Sequence, residues 1–215
     1  CPGTGRLRVR YQVDGPHQPR SDLYGVGDVE GKRTRVNVII MAGGRGSRLG
    51  YAEKPLVEVC GRPMVEGALR AAAALGEPAL CISPFAQGIE GRYCRGITCV
   101  KGSGDYVADL ETALKAVGTP ALVLPADMPF LDRGIGELRL FARIAMESRA
   151  PVVTLNVCRL GRCNPSGISA FKRPGGEWED VYVSWRAAFM DVDYPEDLEE
   201  ARELCGTMGE GAPGE

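Results

Sequence analysis

The stretch that most constrains this chain runs from Val36 to Gly61, VNVIIMAGGRGSRLGYAEKPLVEVCG. Its first residues, Val36-Asn37-Val38-Ile39-Ile40, are apolar and β-branched and read as a buried strand. A loop follows at once. Gly43, Gly44, Gly46 and Gly50 let the backbone turn sharply and come close to a ligand, and Arg45, Arg48 and Lys54 load the same loop with positive charge. A strand feeding such a loop suits a nucleoside triphosphate, because backbone N–H groups can cradle phosphate oxygens while guanidinium and ammonium groups offset their charge. Two other phosphate-binding loops fail on spacing. A dinucleotide fingerprint needs G-x-G-x-x-G, but after Gly44 and Gly46 the third position is Leu49, with Gly50 one place late, and no Gly-Lys-Ser/Thr of a P-loop occurs.

Strands and helices alternate after the loop. Val65, Leu69, Ala72 and Leu75 share one helical face, and Gly76 and Pro78 stop that helix. Ala79 to Ser83 and Ile97 to Val100 read as strands, with an unassigned stretch between them. Asp105 can cap a helix whose apolar stripe is Val107, Leu110, Leu114 and Val117. Ala121 to Leu124 is a strand, Gly134 to Ser148 a helix and Pro151 to Val157 a strand. Gly161 to Ser169 reads as a loop, and Ile168 to Phe171 with Glu179 to Trp185 as extended segments of a small antiparallel excursion. Pro195 opens a closing helix with Leu198, Ala201 and Leu204 or Cys205 inward. The pattern predicts an α/β fold, a single three-layer α/β/α domain over 36–205 with a mainly parallel, mixed sheet of Rossmann-like type. Ligands bind such sheets beyond the carboxyl ends of the strands. The glycine loop and Pro125-Ala126-Asp127-Met128-Pro129 then open on one edge. Residues 1–35 and 206–215, rich in Gly, Pro and charge without apolar period, read as a disordered extension and a flexible tail.

Over 215 residues the net charge is −2, so the chain as a whole offers no footprint for nucleic acid or an anionic membrane. No signal-peptide core and no long apolar run is present, and the expectation is a cytoplasmic enzyme. The only histidine, His17, lies in the extension, which disfavours histidine-based catalysis. None of the eight cysteines forms a C-x-x-C pair. Cys81, Cys99 and Cys158 sit in apolar runs as small hydrophobes, while Cys94-x₄-Cys99 and Cys158-x₄-Cys163 leave pairing or metal binding open.

Met41-Ala42-Gly43-Gly44, Gly46, Arg48-Leu49-Gly50 and Glu53-Lys54-Pro55-Leu56 resemble, nearly position for position, the signature of the MobA-like nucleotidyltransferases. That resemblance implies a nucleotide site at Ala42, Gly43, Gly44, Arg45, Gly46, Ser47, Arg48 and Lys54. Arg48 would hold the β- and γ-phosphates and Lys54 the α-phosphate or the acceptor phosphate. It also implies Mg²⁺ on Asp127 and Asp191. Asp127 follows an apolar run between two prolines, where a carboxylate requires a partner. Phe189-Met190-Asp191-Val192-Asp193-Tyr194-Pro195-Glu196-Asp197-Leu198 resembles the family's closing N-x-[ND]-T-P-E-D-L, with Tyr194 where the family has a helix-capping threonine. Asp193 is the next candidate ligand, and Glu196 and Asp197 read as first-turn acids favourable to the helix dipole. Catalysis would rest on Arg48, Lys54 and Asp127.

Within the family, Cys60-Gly61-Arg62, the run Gly104-Asp105-Tyr106-Val107-Ala108-Asp109-Leu110, and Asn164-Pro165-Ser166-Gly167-Ile168 resemble the archaeal-type adenosylcobinamide-phosphate guanylyltransferases. This implies GTP as donor and adenosylcobinamide phosphate as acceptor. Gly104 and Asp105 then become candidates for the guanine, with Asp105 equally suited to cap its own helix. Phe171, Trp178, Tyr182 and Trp185 are candidates for a platform under the corrinoid. A molybdenum-cofactor nucleotidyltransferase shares the glycine loop and both acids, and a non-catalytic nucleotide-binding protein is the alternative of another class. A homodimer is compatible with the reading.

Overall fold

The computed structural model of the chain describes residues 7–8, 36–43, 49–50, 53–173 and 175–208. Leu7–Arg8 forms β1 and Val36–Ala42 forms β2. A small hairpin, β3 (Glu58–Val59) and β4 (Arg62–Pro63), leads into α1 (Val65–Leu75). There follow β5 (Gly76–Ile82), α2 (Gln87–Tyr93), β6 (Thr98–Lys101), α3 (Tyr106–Val117) and β7 (Ala121–Pro125). The second half comprises α4 (Ile135–Glu147), β8 (Val152–Arg159), β9 (Arg162–Phe171), β10 (Trp178–Ser184) and α5 (Pro195–Met208).

The main sheet has the order β1-β10-β8-β9-β7-β2-β5-β6. Only β9 runs against its neighbours, β7 and β8. The expected α/β sheet, mainly parallel and mixed, is therefore present, with two corrections. Gly161 to Ser169 is not a loop, since β9 begins at Arg162 and enters the sheet. Its first half reads as polar and tolerates Pro165 because it pairs with β8 alone; only Ser169 to Phe171 reach β7. The segment from Glu179 is not an antiparallel excursion but the parallel partner of β8.

The two faces of the sheet are covered differently. Val38, Ile40, Leu80, Leu122, Leu124, Val153 and Leu155 pack under α1 and α4, whereas Ile39, Cys81 and Val123 pack under Leu110, Ala113, Leu114 and Val117 of α3. Val107, expected on the α3 stripe, is 64% exposed, because the first turn of the helix faces the open edge instead of the sheet. Helix α1 presents Ala68, Ala71 and Ala72 to the core, with Leu69 and Leu75 only half-buried. Gly67 makes the close approach possible: a Cβ there would stand 2.4 Å from the carbonyl oxygen of Pro129, so α1 seats directly on the turn after β7. The connections leaving the carboxyl ends of β2 and β7 run to α1 and α4 on one face, whereas the connection leaving β6 runs to α3 on the other, so the loops beyond the strand ends border a crevice from both faces.

Three disulfides cross-link the described residues: Cys60–Cys205, Cys94–Cys99 and Cys158–Cys163. Cys99 and Cys158 are thus bonded rather than free, and of the three apolar-run cysteines only Cys81 is a buried thiol. The unassigned stretch before β6 contains α2, a helix of seven residues with two glycines, too short to show a period. β1 pairs in parallel with β10, so two residues of the expected extension belong to the sheet, and α5 continues to Met208 beyond the expected boundary at 205. The rest of 1–35, and 209–215, lie outside the described residues.

Candidate active site

Three segments converge beyond the ends of β2 and β7. Lys54 opens a one-turn 3₁₀ helix, Lys54–Leu56, in which Pro55 fixes the chain direction. Glu53 anchors that turn from outside: its carboxylate accepts from the Gly88 and Ile89 N–H groups at 2.9 and 3.2 Å, supplying the acceptor that the start of α2 lacks. Lys54 is 7% exposed and directs its ammonium between two acids. It donates to Asp127 Oδ2 at 2.6 Å and, in a very short contact, to Asp193 Oδ1. Burial alone would lower the lysine pKa. The charge of Asp127 and hydrogen bonds to both acids outweigh it, so the net shift is upward and the ammonium form is held.

The closing segment is tied to the same turn, as Val192 N–H donates to the Asp127 carbonyl at 3.1 Å. Asp197, in the first turn of α5, reaches back and accepts from the Asp193 and Tyr194 N–H groups at 2.9 and 2.7 Å. It supplies the half of a capping box that compensates for the missing threonine, and it does more than favour the helix dipole. Asp191 is exposed but lies against enough protein for desolvation to raise its pKa. Asp193, Asp127 and Asp197 push it further up, its own backbone hydrogen bond opposing. Asp193, the next candidate ligand after Asp191, is the acid that shares the Lys54 ammonium with Asp127. Among the described residues no three acidic, histidine or cysteine side chains converge as a ready-made metal cage.

On the other side of β2, the loop after β6 is organised by a residue that sequence reasoning passed over. Asp109, 4% exposed, accepts from Ser103 N–H and Oγ at 2.5 and 3.0 Å and from Gly104 N–H at 3.0 Å. Gly102 has no room for a side chain, since a Cβ there would lie 2.3 Å from the Asp109 carboxyl carbon. A Cβ on Gly43 would be 3.8 Å from Asp109 Oδ2, so the root of the glycine loop passes beside this carboxylate. Asp105 accepts from Ala108 N–H at 2.9 Å and is the N-cap of α3. Of the two roles open to it, the cap is the one its carboxylate fills, and the Gly104 N–H is already satisfied by Asp109. A buried acid inside an otherwise amphipathic helix was the available signal for Asp109.

A cleft of about 590 Å³ adjoins the acids, lined by Met128, Arg159, Arg162, Asn164, Trp185 and Asp191 among others. Arg159 lies 4.2 Å from the centre of the Trp185 ring and pairs with Glu200 at 3.0 Å. Of the four aromatic residues expected to form a platform, only Trp185 lines this cleft. Trp178 begins β10 at the opposite end of the sheet, and Phe171 packs with α3. Ala42 ends β2 buried and Gly43 follows it, whereas Gly44, Arg45, Gly46, Ser47 and Arg48 lie outside the described residues.

A family model described as the MobA-like NTP transferase domain matches residues 38–170. The chain belongs to this family. The match ends before Asp193, whose contact with Lys54 is seen from the geometry alone. A curated relative, the molybdenum cofactor guanylyltransferase of Shewanella amazonensis, is 32% identical over 133 residues, covering 59% of this chain. The chain spans 64% of that relative's length. Among solved structures, the molybdopterin-guanine dinucleotide biosynthesis protein A of Archaeoglobus fulgidus superposes with a TM-score of 0.61 at 17% identity, covering 80% of this chain and 100% of the other. A manganese complex of Rv0371c from Mycobacterium tuberculosis gives 0.60 at 16% identity, covering 79% and 99%. These likenesses establish the MobA-like α/β fold. No helix among the described residues is long and apolar enough to cross a membrane.

Proposed function

We propose that the chain transfers GMP from GTP to adenosylcobinamide phosphate, giving adenosylcobinamide-GDP and pyrophosphate. The observation that carries the transfer reaction is the Lys54 ammonium, buried and braced by Asp127 and Asp193 at the crevice where the glycine loop begins. An oxygen of the acceptor phosphate forms a bond to the α-phosphorus, and the bond from that phosphorus to the bridging oxygen of the β-phosphate breaks. Pyrophosphate leaves with the electron pair. The attacking phosphate is already ionised, so the step requires no general base, in keeping with the Lys and Asp side chains that converge here. Positioning and charge neutralisation supply the rate. Lys54 holds a fixed positive charge beside the reacting phosphates, Glu53 and Pro55 fix its turn, and Asp197 fixes Asp193. Gly43 and the loop of Arg45, Ser47 and Arg48 receive the triphosphate, and the loop from Gly102 to Asp105, with the half-exposed Phe85 ring beside Gly104, borders the space for the base.

The acids also fit a divalent ion. Their hard oxygen donors suit Mg²⁺, which is held by one or two carboxylates together with phosphate oxygens. Asp127 with Asp191 or Asp193 would hold it, and when bound it would neutralise charge on the phosphate oxygens.

The acceptor is favoured by where the two subgroup motifs fall. Gly104 to Leu110 resolves into the end of the loop organised by Asp109 and the first turn of α3, and Asn164, Pro165 and Ser166 line the cleft beside Asp191. The second reading, transfer of GMP to molybdopterin, is favoured by the curated relative's name. Pyrophosphate release from GTP with magnesium, in the presence of each acceptor separately, decides between them: release with the corrinoid supports the first reading, and release with molybdopterin alone replaces it with the second. Release with neither leaves a nucleotide-binding protein.

A further inference from the structure

The β8–β9 hairpin is the most sharply defined feature of the cleft that the transfer reaction leaves without a role. Its turn is two residues, Leu160 and Gly161, with φ of 51° and 78°, the paired positive φ values of a tight hairpin. Arg159 and Arg162 stand opposite each other in register at the start of the turn, and Cys158 and Cys163, the next pair, are covalently joined. Leu160 is 97% exposed, an apolar tip on a strongly basic turn. The two arginines are not equivalent. Arg159 is committed to Glu200 and to the face of Trp185. Arg162 lines the same cleft, and its guanidinium makes no ion pair or hydrogen bond among the described residues. An unpaired guanidinium facing a cleft that also holds Asp191 is a donor set for a phosphomonoester, since its planar fork matches two phosphate oxygens.

We infer that Arg162 is the specificity-determining contact for the acceptor's phosphate, and that the Cys158–Cys163 link fixes the turn that presents it. The inference rests on the nucleotidyl-transfer reading and deepens it. The Arg159–Trp185 stack forms the wall against which an apolar acceptor body lies, Leu160 extends that wall, and Arg162 turns the phosphate toward the acids. A reduced or unlinked hairpin keeps its strand pairing but lets the tip swing, so acceptor affinity falls while GTP binding, on the far side of β7, is untouched.

The test is steady-state kinetics of the full chain with GTP, magnesium and adenosylcobinamide phosphate or molybdopterin. Arg162→Ala is expected to raise the acceptor KM by about ten- to hundredfold, the worth of one charge-assisted pair, while GTP KM stays within about twofold. Arg162→Lys restores part of the loss, and Cys158→Ser/Cys163→Ser moves acceptor KM in the same direction by a smaller factor. Equal acceptor KM in wild type and Arg162→Ala, or a parallel loss for GTP, overturns the inference. If the wild type transfers GMP to neither acceptor, the transfer reading fails, and a tryptophan-fluorescence titration with adenosylcobinamide phosphate still separates the two. Weaker quenching in Arg162→Ala than in wild type, lost in Trp185→Phe, supports the contact, and identical titrations overturn it.

Discussion

Replacing both Cys60 and Cys205 by serine removes the one disulfide among the described residues that joins distant parts of the chain. Cys60 sits in the turn between β3 and β4, just after the Lys54 segment, and Cys205 lies in α5, which follows Asp191 and Asp193. The two are 145 residues apart in sequence. In the chain-entropy account, closing a loop of that length removes about 17 cal/mol/K from the unfolded chain, or ~5 kcal/mol at 25 °C. The same relation gives about 2 kcal/mol for each of the other two links, whose partners are separated by only 5 residues. The native contacts around the bridge survive the change, since Leu198 and Ala201 of α5 still pack on Val57, Val59 and Met64. The loss therefore falls on the unfolded state. For a chain of this size it corresponds to a fall in Tm of roughly 10–20 °C. Guanidinium denaturation of the oxidised wild type, of Cys60→Ser/Cys205→Ser and of Cys94→Ser/Cys99→Ser measures the two losses side by side. A long-range variant no less stable than the short-range one would refute the reasoning, because loop length could not then be what the bridge acts through.

Three further outcomes follow from the site. Lys54→Met, which leaves Asp127 and Asp193 facing each other without a counter-charge, is expected to cost about 2–3 kcal/mol in chelator, less than a fully buried pair because both acids reach solvent, and to lower kcat by orders of magnitude. Since the folded pKa of Lys54 is raised, its contribution is complete below the ordinary value of 10.5 and is lost only as pH rises above that, so urea melts at pH 7 and pH 9 should give the same penalty. Asp109→Asn turns one acceptor into a donor facing the Gly104 or Ser103 N–H; a loss of about 1–3 kcal/mol in urea melts and a raised GTP KM are expected, and an unchanged KM would separate this loop from the nucleotide. Asp105→Ala should cost about 1 kcal/mol of helix cap while leaving the preference for GTP over ATP intact, and a shift in that ratio would return Asp105 to the base.

The first strand was legible because β-branched residues are a local signal, and the place of Asp127 because a carboxylate at the end of an apolar strand is conspicuous; the glycine loop from Gly44 to Arg48 lies outside the described residues. What escaped was set by tertiary placement. β9 looked like a loop because half of it pairs on one side only, and β10 looked antiparallel because nothing in seven residues reports the direction of a partner. Asp191 and Asp193 are two residues apart in one segment and were read only as candidate metal ligands; that Asp193 meets Lys54 depends on how Asp197 and the Asp127 carbonyl hold that segment. Asp109 was inside a motif already noted but read only as part of a pattern, whereas its burial and its three accepted hydrogen bonds identify it as the organiser of the loop. The Cys60–Cys205 link joins residues that no spacing rule could have paired.

The central claim is that the α-phosphorus of GTP is the atom attacked and that an acceptor phosphate attacks it. The direct measurement is the fate of label when the enzyme, magnesium and adenosylcobinamide phosphate are incubated with GTP labelled in turn at the α- and γ-phosphorus. The account predicts α-label in the corrinoid product and γ-label in pyrophosphate, in equal amounts. γ-Label in orthophosphate, or on the acceptor, would show hydrolysis or phosphoryl transfer instead and would contradict it.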